Sequence, residues 1–160
     1  MDDQGGTVDY KPAIARTAEL VAELRRANGD LEVLGHSYAA MRPEVAAAGY
    51  DLMEFIPDAD RGTLHFNMPD FGRRFLNTYI GIVRAELCAK GSELETRVRT
   101  AITAGASSLI SMLAAALSVP TAAALVLAPI AALLLAYGLD AFCKMEVSGV
   151  TGCGQSGAGS

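Results

Sequence analysis

Residues 100–139 read TAITAGASSLISMLAAALSVPTAAALVLAPIAALLLAYGL and carry no charged side chain, with Arg99 on one flank and Asp140 on the other. A helix on the surface of a water-soluble domain needs a polar face, so an uncharged run of this length points inward or into lipid. Pro120 divides the run, because proline is poor inside a helix and good in the first turn of a new one. The reading that follows is a hairpin of two apolar helices, 102–118 and 121–139. Each falls in the window of about 17–25 residues that crosses a bilayer. Pro129 is expected to kink the second arm.

Small residues recur every fourth position in both arms: Ala101 and Gly105, Ser107 and Ser111, then Ala128, Ala132 and Ala136. Such spacing lets helices approach closely inside lipid, and these residues are the expected packing face of the hairpin. The turn around Pro120 bears no charge, and both roots carry cations, Arg97 and Arg99 on one side and Lys144 on the other. The positive-inside rule then places the hairpin in the cell membrane with both termini cytoplasmic. The competing reading makes the two arms the buried centre of a soluble bundle. That requires several amphipathic helices as cover, and residues 10–99 offer three or four.

Composition agrees with a helical chain. Of 160 residues, 51% are hydrophobic and 6% aromatic, with no Trp, so alanine and leucine dominate the apolar content. A net charge of −5 gives no electrostatic reason to expect nucleic acid. Three cysteines, Cys88, Cys143 and Cys153, are an odd number without a CxxC pair. They point to free thiols in a reducing compartment and to no disulfide framework. The acidic N-terminus lacks the pattern of a secretory signal.

Outward from the hairpin, the chain divides into a disordered tail (1–10), a helical cytoplasmic head (11–99), the hairpin (100–139) and a juxtamembrane Gly/Ser-rich tail (140–160). A first amphipathic helix opens at Pro12 and closes at Asn28-Gly29, with Ile14, Ala18, Val21 and Leu24 as its stripe. From Asp30 onward a helical pattern is interrupted by Gly35 and Pro43, so two short helices are expected there. A turn or two of helix fits residues 50–56, and 57–69 reads as loop. Asp70 begins a helix with Phe71, Phe75, Tyr79, Val83 and Leu87 at every fourth position. Ser92 and Glu95 form a capping box, and the helix they start is expected to run unbroken into the first arm.

Candidate chemistry is sparse. Gly35-His36-Ser37-Tyr38-Ala39, after Leu31-Glu32-Val33-Leu34, resembles the nucleophile elbow of α/β-hydrolases, which implies a serine nucleophile at Ser37. The resemblance covers about nine residues, Ala39 stands where that motif has glycine, and a helix rather than several strands precedes it. An inert serine is the expectation, and with it no enzyme activity. Pro57-Asp58-Ala59-Asp60-Arg61-Gly62 resembles part of a calcium loop, yet Pro69 occupies the place of the closing glutamate. His36, His65 and the cysteines match no zinc spacing. No metal and no cofactor are expected.

The layout of amphipathic helices followed by an uncharged Ala/Leu-rich hairpin and an acidic-aromatic step (Leu139-Asp140-Ala141-Phe142) resembles the pore-forming domains of colicins. The resemblance is one of layout over the last third of the chain, without a specific motif. It implies a soluble bundle that hides a hydrophobic hairpin and later inserts it. The expected fold is therefore all-α, a small amphipathic bundle followed by a transmembrane hairpin. The expected function is a non-enzymatic effector that inserts into a lipid bilayer, forms a homo-oligomer and perturbs the membrane. The alternative is a membrane-anchored or soluble interaction module whose head docks a protein partner.

Overall fold

The structure, a computed structural model, describes residues 10–57 and 70–145. It is helical, with no strand among the described residues. Six α-helices follow in order: α1 (Lys11–Arg26), α2 (Glu32–Ala47), α3 (Phe71–Leu87), α4 (Glu93–Ala104), α5 (Ala106–Leu117) and α6 (Ala128–Lys144). Short 3-10 helices occupy Leu52–Phe55 and Thr121–Leu127.

The centre of the fold is α6. Every residue from Val126 to Leu134 is buried, so the chain has no solvated side over those turns. Helices α1, α2, α3, α4 and α5 all touch it or the 3-10 segment that leads into it. Head and apolar run thus share one core. Among the described residues only the stretch Thr121–Lys144 is long and apolar enough to cross a membrane, and two-thirds of its most apolar window is buried within the fold.

The first arm departs from expectation. Gly105, at φ 119 and ψ −177, breaks the helix between α4 and α5, so the charged and uncharged parts are not one continuous rod. What is left, α5, has 12 residues, about 18 Å of helix against a hydrocarbon core of about 30 Å. Its Leu109, Ile110 and Leu113 point inward while Ser107, Ser108 and Ser111 are on the solvated side. Hydroxyls serve as its polar face, and α5 is part of the cover over α6 rather than a second apolar rod. In the second arm Pro129 lies in the first turn of α6 and introduces no kink there. The break falls at Gly138 instead, with φ 89 and ψ 166.

Most of the remaining helices follow their sequence patterns. All five stripe residues of α3 are buried. Helix α1 begins with Pro12 in its first turn and is followed by Asn28 and Gly29 in left-handed conformation, but its buried face is Ala13, Thr17, Leu20 and Leu24. That face is rotated from the expected stripe, leaving Ala18 exposed and Ile14 and Val21 half-buried. Thr17 can sit in the core because its hydroxyl donates to the Ala13 carbonyl at 2.7 Å.

Helix α2 is one helix, not two. Pro43 lacks the amide that would bond the carbonyl four residues back, and both Pro43 and Ala39 are exposed, so water can solvate the freed oxygen. Gly35 permits a close crossing. A Cβ there would come 3.0 Å from the Arg73 Cα, and one at Gly72 would lie 2.8 Å from the Gly35 carbonyl carbon. Helices α2 and α3 therefore meet backbone to backbone near their first turns.

Candidate functional site

The feature that sets this bundle apart is the apolar segment 121–139 and the way its two ends are held. At the N-terminal end, Ser118 takes the left-handed conformation (φ 58) and Pro120 the extended one, turning the chain into the 3-10 helix. The carbonyls of such a segment need partners when buried. One is supplied by the Tyr38 hydroxyl, which donates to the Val126 carbonyl at 2.8 Å from the interior of α2. Tyr38 is fixed in turn by rings from α3, with centroids 4.7 Å from Phe75 and 6.4 Å from Tyr79. Burial pushes the Tyr38 hydroxyl well above the usual phenol range, with the neighbouring Tyr79 adding to the shift. Tyr79 is raised by burial alone. Both stay neutral near neutral pH.

The C-terminal end, residues 140–145, is held by three ties. Asp140 pairs with Arg99 at 2.7 Å, and Arg99 also pairs with Glu95 at 2.9 Å, so α4 grips the last turns of α6. The Arg99 guanidinium and the Gly91 amide keep the Glu95 carboxyl below the usual range. From α3, Arg84 donates to the Met145 carbonyl at 2.6 Å and to the Cys143 carbonyl at 3.1 Å. A cation on the last carbonyls of a helix also suits its dipole. The third tie is covalent: Cys88, just past the end of α3, forms a disulfide with Cys143. The expectation of free thiols is thus corrected for this pair, and with it the argument that placed the chain in a reducing compartment. Cys153 lies outside the described residues.

The structure distributes the expected packing residues over different environments. Ala128 and Ala132 are buried in the core and Ala136 is half-buried. Ala101 is buried on α4, Gly105 forms the α4–α5 break, and Ser107 and Ser111 lie on the solvated side of α5. In this fold they do not meet as one stripe. Of the flanking cations, Arg97 and Lys144 are exposed and Arg99 is in the ion-pair network.

An open cavity of about 570 Å³ lies beside the N-terminal end of the segment. Tyr50, Phe55, Tyr79, Ile82, Leu117 and Pro120 form most of its wall. Ser37 occupies the interior of α2, 8% exposed, with its hydroxyl unpartnered among the described residues. The backbone is helical on both sides of it, so the strand-to-helix turn of a nucleophile elbow is not formed. His65 and the acidic loop at 58–62 lie outside the described residues. Among the described residues no cluster of His, Cys, Asp and Glu could hold a metal ion.

Arg84, Cys88 and Cys143 are the residues that sequence reasoning missed as holders of the segment. Arg84 is one more cation near the apolar run when only the sequence is read, and the cysteines are an odd count. A usable signal is that Cys88 and Cys143 each lie at the C-terminal end of a helix, and two helices running in the same direction bring those ends to one pole. No family model, curated protein or solved structure matches the chain.

Proposed function

We propose that the chain is a membrane-acting helical protein whose folded form stores the apolar segment 121–139 and delivers it to a lipid bilayer. One observation carries this reading. The most apolar stretch lies within Thr121–Lys144, where the best 18-residue window has mean hydropathy 2.3, and it is enclosed on all sides from Val126 to Leu134 by helices with polar outer faces. Among the described residues Tyr137, 42% exposed, is the one large hydrophobic side chain open to water. Such a molecule can stay dissolved while carrying a helix of spanning length. Once extended as α-helix, 24 residues reach about 36 Å, enough for the hydrocarbon core.

In the inserted state Ala128, Ala132 and Ala136 lie on one helical face and favour self-association. A two-pass hairpin with both termini on the cytoplasmic side needs the Gly105 break to close, so that 102–118 becomes one helix. A single pass needs no such change. The effector acts without catalysis. A second reading, a soluble interaction module, is favoured by the aromatic cavity beside Pro120, which is within the size range of ligand pockets.

Vesicle flotation with dye release tests the proposal. The full chain is incubated with vesicles of phosphatidylcholine and phosphatidylglycerol, in buffer and in urea just below the unfolding midpoint. Binding and leakage that rise as the fold loosens are expected. A chain that neither floats nor releases dye under either condition is not a membrane effector, and the interaction-module reading then takes its place.

A further inference from the structure

At the C-terminal pole, one tie differs in kind from the others. Arg84 and Arg99 hold residues 140–145 by part-buried hydrogen bonds and an exposed ion pair, both non-covalent. The Cys88–Cys143 disulfide holds the same turn to α3 covalently, across a sequence separation of 55. Both cysteines are half-buried at the edge of the core rather than enclosed in it. Five residues before Cys143, α6 is interrupted at Gly138, and a Cβ built there would meet nothing within 4 Å. The last turns of α6 therefore follow a break at Gly138, and they are held by the buried Leu139 and Phe142 side chains, the two arginine ties and one reducible bond.

We infer that the disulfide is a redox latch on the end of the stored segment, opened by a dithiol. A thiolate of the dithiol attacks one cystine sulfur, forming a mixed disulfide and expelling the other cysteine as a thiolate that takes up a proton. The second thiol of the reductant then displaces the remaining cysteine. Two electrons pass to the protein, which gains two thiols, and the dithiol leaves as a disulfide. Reduction leaves residues 139–145 held only by the buried Leu139 and Phe142 and the two arginines, which lowers the cost of opening this segment at Gly138. That the released end leads the apolar helix into lipid rests on the membrane reading above. An oxidising compartment keeps the chain latched, and transfer to a reducing one opens it.

Hydrogen exchange and vesicle flotation, run on the same full-length samples, test the latch. The samples are the oxidised chain, the chain reduced with dithiothreitol and capped with iodoacetamide, and the C88S/C143S variant, with C153S in every case to remove the third thiol. Opening is expected to speed exchange at 139–145 by about tenfold or more while α1 and α2 stay protected. Vesicle binding should rise several-fold in the same two opened samples. Equal protection of 139–145 in oxidised and reduced samples overturns the latch. Loss of protection throughout the chain on reduction also overturns it, since the bond is then a general staple. Local opening without vesicle binding by any sample supports the latch and refutes the membrane reading instead.

Discussion

Gly72→Ala sets two effects of opposite sign against each other. In an unconstrained helix the replacement stabilises by about 1 kcal/mol, because alanine is the better helix former. In this fold the new methyl enters the crossing of α2 and α3. Its ideal position falls inside contact distance of the Gly35 carbonyl oxygen, 2.8 Å from the carbonyl carbon and 3.3 Å from the Ala39 Cβ. Carbon atoms settle at about 3.5–4.0 Å, so the helices must part by roughly 1 Å. A methyl has no rotamer with which to yield, and its neighbour is backbone. Overpacking of this kind costs about 3 kcal/mol, at the upper end of its usual range. The net loss is about 2 kcal/mol, a fall in Tm of about 4–8 °C. Urea unfolding followed by far-UV circular dichroism reads it as a lower midpoint at unchanged slope. A midpoint equal to or above the parent's would refute the close crossing and, with it, the role of Gly35 in clearing space between the two helices.

Three further outcomes follow from single residues. Ser37→Ala removes a buried hydroxyl that has no partner among the described residues, so it should raise stability by about 1 kcal/mol in the same urea assay; a clear loss would show that the hydroxyl has an essential contact. Tyr38→Phe strips the donor from the Val126 carbonyl and should destabilise by about 1–3 kcal/mol, with faster amide exchange in the 3-10 segment; no change would mean that this carbonyl finds another partner. The Glu95 carboxyl has a lowered folded pKa, so its contribution is present above the unfolded value of about 4.3 and disappears as pH falls through the folded one. Unfolding midpoints measured from pH 6 to pH 2 should fall less steeply for Arg99→Gln than for the parent, and parallel curves would exclude this pair as a source of acid sensitivity.

The helical class and several local devices were legible because they depend on near neighbours. The stripe of α3 and the Ser92 cap are local patterns. The Ser92 hydroxyl accepts from the Glu95 amide at 3.1 Å, although the Glu95 carboxylate reaches Gly91 rather than Ser92. What escaped depends on distant packing. An uncharged helix reads as lipid-facing, yet the serines of α5 are polar enough to face water. Pro43 reads as a breaker, yet its missing hydrogen bond falls on the exposed side of α2. Gly35 reads as an interruption of the helix, whereas it clears space for Arg73 from another helix. The cysteine pair joins residues 55 apart, a match that only the folded pole reveals.

The central claim is that residues 121–139 are stored inside the bundle in water and move to lipid while their cover opens. Hydrogen exchange of the full chain, alone and bound to vesicles, tests it most directly. In water the amides of residues 128–136 should be among the slowest to exchange, together with the core of α3. On vesicles residues 121–139 should remain protected while α1 and α2 lose protection, because the apolar segment has exchanged a protein sheath for a lipid one. Rapid exchange of 128–136 in water, or an unchanged pattern across all helices on vesicles, would contradict the account.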